Sequence, residues 1–486
     1  MKRKKRKGSI KEIDIASSIK DSFLQYSIAA TVRSVPSVID GLKPSQRRAL
    51  YVLYKELNPN EFVKSSRAVG EIMGKYHPHG DQSIYATLVN MAQKDRHNRP
   101  YIESQGNFGS VLSSLNEFAA PRYTELKLSK FAENVFFQDY YRELEYTETY
   151  DNKTKEPKVL LPLVPMILVK GTDGIAVGYT STVPPHDYRS VCESYIEYIK
   201  NRFTLSDLNW ITLANMIKVK FPNNPTIEGD TIKGLLTGQG KIYMKAKYGF
   251  MMQKIKRTEY TVLRIKELPY LVSPPAFIDK LKTEKDFKEY IYGINDMSSR
   301  GEVLIDLIMT NQTNRCKILD FLKTAKCGFY TEMNYTMNLI DLDNVPRRMG
   351  LKDIYNAHYS YLEKILMKYL ENLKEKYDDD LIFYEVLYVI VRDKERAKKF
   401  MEDVTNYSRL KLYKIFYKDY AIESHIVDRI LNSNISILSK DSFVKDKIKE
   451  TKNKLKDINK NLNNIESYII YMIEETLSNT KLKESE

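Results

Sequence analysis

The chain is poor in what several protein classes require. Its 486 residues hold three cysteines, Cys192, Cys316 and Cys327. Their spacing suits neither a disulfide framework nor a zinc cluster, and so few fit a reducing compartment. There are six histidines, and no carboxylate-rich motif completes a metal site around them. The longest apolar run, "VLLPLVPMILV" at 159–169, is broken by two prolines and falls short of a membrane span. The amino terminus is basic with no apolar core behind it, so no signal peptide is expected. Negative charge is also scarce: 63 acidic against 77 basic side chains leave a net charge of +14. That excess suits a polyanionic partner, most often nucleic acid, although a genome that favours lysine would push the same way.

What is present divides into zones. The opening "KRKKRK" makes residues 1–9 a solvated basic arm, able to grip phosphates or to act as a nuclear-import signal. Residues 10–155 mix helical periodicity with Gly- and Ser-rich connections. Residues 156–345 carry short β-rich runs such as "KIYMKAKY", separated by turn signals, and read as a mixed α/β domain. From 346 to 480 the pattern is helical, with two apolar stripes near 351–377 and 448–472 at coiled-coil spacing. A helix going out, a small globule and a returning helix is the expected arrangement, although a seam of this kind also suits dimerisation. A short tail, 481–486, follows.

Four stretches in the first half carry candidate chemistry. In "DGLKPSQRRALYVLY" (40–54), Lys43, Arg47 and Arg48 gather at the start of a helix, where the dipole also favours anions. The alternative is a solvated helix start. "GEIMGKYHPHGDQS" (70–83) is not a phosphate loop, because three residues separate its glycines and Tyr76 stands where Ser or Thr is needed. Its His77 and His79 suit hydrogen bonding to a phosphate better than metal chelation. In "PRYTE", Arg122 precedes Tyr123; a phenol ionises near pH 10, so Tyr123 is a nucleophile only if a cation or base assists it. Taken alone, it is one tyrosine among 36. "GTDGIAVGYTSTVPPHD" (171–187) sets Ile175 among small residues, as an aliphatic wedge able to enter a base step or as a core residue.

Taken in order, "DGLKPSQRR", "GKYHPHGD", "QGNFGS", "PRYTE", "GIAVG…VPPH" and "KELPYLV" resemble the breakage–reunion subunit of type IIA topoisomerases, the A-type component of bacterial gyrase and topoisomerase IV. The resemblance implies a mixed α+β multidomain fold: a winged-helix DNA-cleavage domain at 10–155, an α/β tower at 156–345, and a long antiparallel coiled coil with a helical exit gate at 346–480. It makes Tyr123 the residue that joins a DNA 5′ end and Arg122 its transition-state partner. Arg33, Lys43, Arg47, Arg48, Lys75, His77 and His79 would hold the strand, and Ile175 would bend the duplex.

It also implies what this chain borrows. No Walker loop, ATPase segment or TOPRIM-like acidic cluster is present, so ATP and Mg²⁺ are expected on a partner B-type subunit. One tyrosine cuts one strand, which implies a homodimer of this chain within a heterotetramer that acts on double-stranded DNA in the cytoplasm, with no membrane contact. The lack of a β-pinwheel after the helical zone points to relaxation and decatenation rather than supercoiling. The compact form resembles the split topoisomerases of large phages and other DNA viruses. A catalytically idle DNA-bending relative is the alternative. One departure stands out: Gln82 and Ala86 occupy places where drug-sensitive bacterial enzymes carry a serine and an acidic residue that anchor fluoroquinolones. Low fluoroquinolone potency is therefore expected in a cleavage-complex titration, and bacterial-like potency would contradict it.

Overall fold

A computed structural model describes residues 14–112, 117–204, 206–255, 257–299, 302–310, 313–420, 423–432 and 441–481. The basic arm at 1–9 and residues 482–486 of the tail lie outside the described residues. The chain forms two compact units. One runs to Tyr361 and takes in the stretch from Ile473; the other is Leu362–Met472. Among the described residues no helix is long and apolar enough to cross a membrane.

The first unit opens with helix α1 (Ile15–Ser34), which buries only Ala30 and Thr31. Helix α2 (Pro44–Lys55) begins with proline at its first turn, where the missing N–H costs nothing. Helices α3 (Ser65–Lys75) and α4 (Asp81–Ala92) follow, and the three bury Ala49, Leu50, Val69, Ile72, Ile84 and Leu88 as a shared core. Strands β1 (Val63–Lys64), β2 (Ile102–Gln105) and β3 (Glu125–Leu128) form a small antiparallel sheet in the order β1–β3–β2.

Two larger antiparallel sheets follow, beside two short two-stranded ones at Tyr146–Glu148/Lys155–Pro157 and Asn338–Ile340/Pro346–Arg348. Five strands order as Thr172–Ile175, Thr180–Val183, Tyr330–Thr336, Gln239–Lys245 and Thr226–Gly229. Four others order as Lys247–Ile255, Thr258–Glu267, Ile305–Met309 and Ile291–Asp296. The second sheet is covered by Phe277, Leu281, Ile318, Phe321 and Leu322 from two helices. The fold is thus mixed α+β, with every residue of the central strand Ile305–Met309 buried.

In the second unit the helix Leu351–Arg392, from Leu362 on, is paired with Asp441–Asn463. Lys445 lies over Tyr388, Lys452 bonds Glu385 at 2.8 Å, and Lys454 lies over Tyr377. Partner numbers fall as these numbers rise, so the pair is antiparallel. Phe383, Leu387, Phe416, Val427, Ile430 and Val444 form the core of the globule at its end.

Two histidines lock the core of the first unit. The His186 ring lies 2.8 Å from the Leu168 carbonyl through Nδ1 and 2.9 Å from the Tyr335 hydroxyl through Nε2. His358 Nδ1 meets the Tyr195 hydroxyl at 2.8 Å. Burial pushes both down, His186 to about 4 and His358 to about 3. The unfolded chain takes up these protons near pH 6.5 and the folded chain does not until well below. Their contribution is therefore complete above pH 6.5 and is lost as pH falls. Each histidine should remove about 1.4 kcal/mol of stability per pH unit between about pH 6 and pH 4. Urea unfolding at pH 7 and pH 5 checks this; an unchanged or higher midpoint at pH 5 would contradict it.

Candidate functional site

The start of α2 is fixed by a buried charge. Asp40 is fully buried, and its carboxylate accepts from Arg47 Nε at 2.5 Å, Arg47 Nη2 at 3.0 Å, the Leu42 amide at 2.9 Å and the Leu160 amide at 3.0 Å. Arg47 also donates to the Leu42 carbonyl at 3.1 Å. A buried carboxylate survives only when its lone pairs are met in this way. Between the two residues, Gly41 holds φ +67°, and a Cβ there would lie 2.6 Å from the Ile167 amide nitrogen. Arg47 therefore points inward and is taken up by the turn.

Arg48, one residue on and about 100° further round the helix, points elsewhere. Its guanidinium forks onto Glu156 at 2.8 and 2.7 Å and meets His77 Nδ1 at 3.0 Å. A guanidinium only donates, so His77 Nδ1 accepts and the neutral ring carries its proton on Nε2. His77 is buried, and its amide closes α3 onto Ile72. Burial, with the charges of His79, Arg48 and Arg33, lowers it to about 4. The ring of His79 lies 4.3 Å away, with its side chain exposed. Arg33, exposed at the last turn of α1, completes this group through its charge on His77. Lys75 stands differently: Glu56 at 2.6 Å and Glu71 at 3.0 Å answer its charge.

Lys43 turns toward a second feature. Its ammonium donates to the Asp173 carbonyl at 2.9 Å, at the base of the hairpin Thr172–Ile175/Thr180–Val183. Gly174 lies so close to α1 that a Cβ would stand 2.5 Å from the Ser34 carbonyl oxygen. The hairpin tip closes by Ala176 N to Tyr179 O, with Gly178 at φ +75°. Ile175 projects from it, 79% exposed. Lys43, Arg33 and Ile175 are thus gathered around the end of α1.

Tyr123 stands on a braced turn. Pro121 occupies the second position of a turn closed by Tyr123 N to Ala120 O at 2.9 Å. The first amides of α3 reach back, Ser65 to the Thr124 carbonyl and Ser66 to the Pro121 carbonyl. The loop thereby caps the helix, satisfying donors that a helix start leaves open. Beneath it the buried hydroxyls of Ser65, Thr124 and Tyr85 lie 2.8 and 2.7 Å apart, and Tyr85 donates to the Ala119 carbonyl at 2.8 Å. Above this support the Tyr123 side chain is 66% exposed, with the Arg122 guanidinium 4.6 Å from its ring centroid. Arg122 and Tyr123 belong to a loop separate from the Arg48–His77 group.

Among the described residues no three His, Cys, Asp or Glu side chains converge as a metal site. The two carboxylates at the start of α2 are engaged, Asp40 by Arg47 and Glu156 by Arg48. The motif reading missed Glu156, which lies 108 residues from Arg48 with no local signal. Asp40 is seven residues from Arg47 and was available within "DGLKPSQRR".

The sequence matches the family model for the A-type component of DNA gyrase/topoisomerase IV over residues 33–477. It is 31% identical over 406 residues to the gyrase A protein of Ureaplasma parvum, covering 81% of this chain and 47% of that one. The gyrase A protein of Buchnera aphidicola subsp. Baizongia pistaciae is 34% identical over 368 residues, 74% of this chain and 42% of the relative. The Haemophilus influenzae protein of the same name is 32% identical over 375 residues, 74% and 41% of the respective chains. The chain spans less than half the length of these curated relatives.

Glu156→Gln tests the Arg48 fork. It keeps the shape and removes the charge, and should cost about 1.5–3 kcal/mol of stability in chemical unfolding. An Arg48/Glu156 double-mutant cycle with no coupling would show that the fork contributes nothing.

Proposed function

Because the chain belongs to the gyrase A/topoisomerase IV A family, we propose that it is the strand-breaking component of a type IIA DNA topoisomerase. The observation that carries this reading is the exposed Tyr123 on a rigid turn with Arg122 against its ring. The phenol oxygen attacks a DNA phosphorus as it loses its proton. The bond to the 3′ oxygen breaks, that oxygen leaves as a hydroxyl with a proton, and the phosphate stays on Tyr123 as a 5′ ester. Arg122 offsets the charge that builds on the phosphoryl oxygens. One ester replaces another, so resealing by the reverse attack needs no nucleotide.

The remaining groups fit this chemistry. Arg33, Lys43, Arg48, His77 and His79 hold the strand, with His77 offering its Nε2 proton to a phosphate. Arg47, buried on Asp40, and Lys75, between Glu56 and Glu71, serve by fixing α2 and α3, and Arg48, forked onto Glu156, acts on the strand through His77. Ile175, exposed on a hairpin set against α1, is the wedge that bends the duplex. We read α2–α4 with the β1–β3–β2 sheet as the winged helix, residues 156–345 as the tower, and the helical unit as coiled coil and exit gate, where two copies of the chain meet.

Mg²⁺ and ATP we assign to a B-type partner, because Asp40 and Glu156, the carboxylates at the start of α2, are already taken by Arg47 and Arg48. Helix α1 supports that partner: Ile15, Ile19, Phe23, Leu24, Tyr26 and Ile28 are exposed on a helix that buries little on its own chain. An isolated helix of this length is marginal in water, so a partner surface is its natural cover. The output we assign to the assembly is relaxation and decatenation of duplex DNA.

The test is adduct trapping. With a B-type partner, Mg²⁺ and plasmid, denaturant should release linear DNA bound to protein, with the nucleotide on residue 123. Tyr123→Phe should lower the yield by at least about a thousandfold. An undiminished adduct in that variant, or none from the assembled wild type, would overturn the reading.

A further inference from the structure

Beside Lys43 a cavity of about 660 Å³ opens within the first unit. Its wall includes Lys43, Gln46, Arg96, His97, Lys170 and Asp173. The volume falls in the range of small-molecule sites. Its basic groups outnumber its acidic ones. Lys170 donates to the Gln46 side-chain oxygen at 3.1 Å, and Lys43 donates to the Asp173 carbonyl at 2.9 Å. An ammonium has three donors, and among the described residues neither lysine has a carboxylate within ion-pair distance. Asp40, the acidic group that acts on Lys170, is occupied by Arg47 and two backbone amides.

Three cations, Lys43, Lys170 and Arg96, thus share a wall with two carboxylates. Of these, Glu332 is held by Lys241 at 2.9 Å, and Asp173, which is exposed, answers Lys43 only in part, since burial outweighs it and leaves Lys43 lowered. The groups feel one another. Burial and then the Lys43 charge bring Lys170 down to about 7; burial and then Lys170 and Arg96 bring His97 down to about 3. Placing two ammoniums together away from water is costly unless an anion answers them.

We propose that this cavity binds a free small phosphate-class anion, a pyrophosphate or phosphomonoester, between Lys43 and Lys170. The anion accepts the donors that Gln46 and the Asp173 carbonyl leave open, and Lys170 takes up a proton as it binds. Such a ligand would also compete with duplex DNA for Lys43, a consequence that rests on the function proposed above. The site itself does not, since binding is measured on the chain without DNA, partner or cleavage.

The test is calorimetric titration of the full chain with pyrophosphate at low salt and pH 7.5. Wild type should bind at one saturable site, with an enthalpy that varies with the buffer because a proton is taken up. Lys170→Met, which replaces a buried cation by an apolar side chain of similar length, should weaken binding about 10- to 100-fold. Lys153→Met, which removes an exposed lysine elsewhere, should leave it unchanged. If the variant misfolds, Lys170→Arg should restore much of the affinity while removing the buffer dependence. Equal binding by Lys170→Met, or equal loss in Lys153→Met, would overturn the proposal. So would a dependence on Lys170 seen only with a short DNA duplex, since the phosphate would then be the backbone's.

Discussion

The buried Asp40 carboxylate sets the geometry on which the candidate site depends. Four donors converge on it: two from Arg47, one from the turn at Leu42, and one from Leu160, which is 120 residues distant. An uncompensated charge in that position would be strongly destabilising, so the turn, the start of α2 and the segment at Leu160 are held to one arrangement. Everything that follows along α2 inherits this register. Lys43 emerges at the cap toward the hairpin, and Arg48, a third of a turn beyond Arg47, emerges toward Glu156 and His77. Two adjacent arginines thereby do opposite work. One fixes the element, and the other is carried by it.

The same division of support from display recurs at Tyr123. The neighbouring Thr124 is fully buried, and its hydroxyl sits between those of Ser65 and Tyr85. The loop carbonyls cap α3, so the loop and the helix cannot move independently without exposing unpaired groups. A side chain that must meet a phosphorus within a few tenths of an ångström benefits from such a base. In the proposed function the exposed ring supplies the reach, and its buried neighbour supplies the accuracy.

Much of this was legible in the sequence, and the limits of that legibility have physical causes. The helical zone at the end follows from periodicity, and the antiparallel contacts run between 377–388 and 445–454, where the helices that carry the two apolar stripes meet. The stretches around Lys43, His77, Tyr123 and Ile175 could be marked because glycines, prolines and charged residues punctuate them locally. Whether a cation is free or already engaged is a different matter. Arg47, Arg48 and Lys75 look alike in the sequence, and their partners decide between them: Asp40, Glu156 and the Glu56/Glu71 pair. Glu156 and Lys170 were invisible for the same reason. Their meaning comes from residues more than a hundred positions away, a relation that no local spacing encodes.

That distinction bears on how the net charge of +14 should be understood. A large total is spread over many exposed lysines, several of them in surface ion pairs of little energetic consequence. Charges at Arg33, Lys43 and Lys170 differ, because no carboxylate contacts them among the described residues and burial or like charge surrounds two of them. In water such positive charge is screened within about 10 Å at 0.1 M salt. In a recess lined by protein it is not, and it acts as a field aimed at whatever anion enters. In the proposed function, the overall excess of lysine draws the duplex to the surface. There, the few cations left unanswered by carboxylates, held in place by those that are answered, decide where its phosphates come to rest.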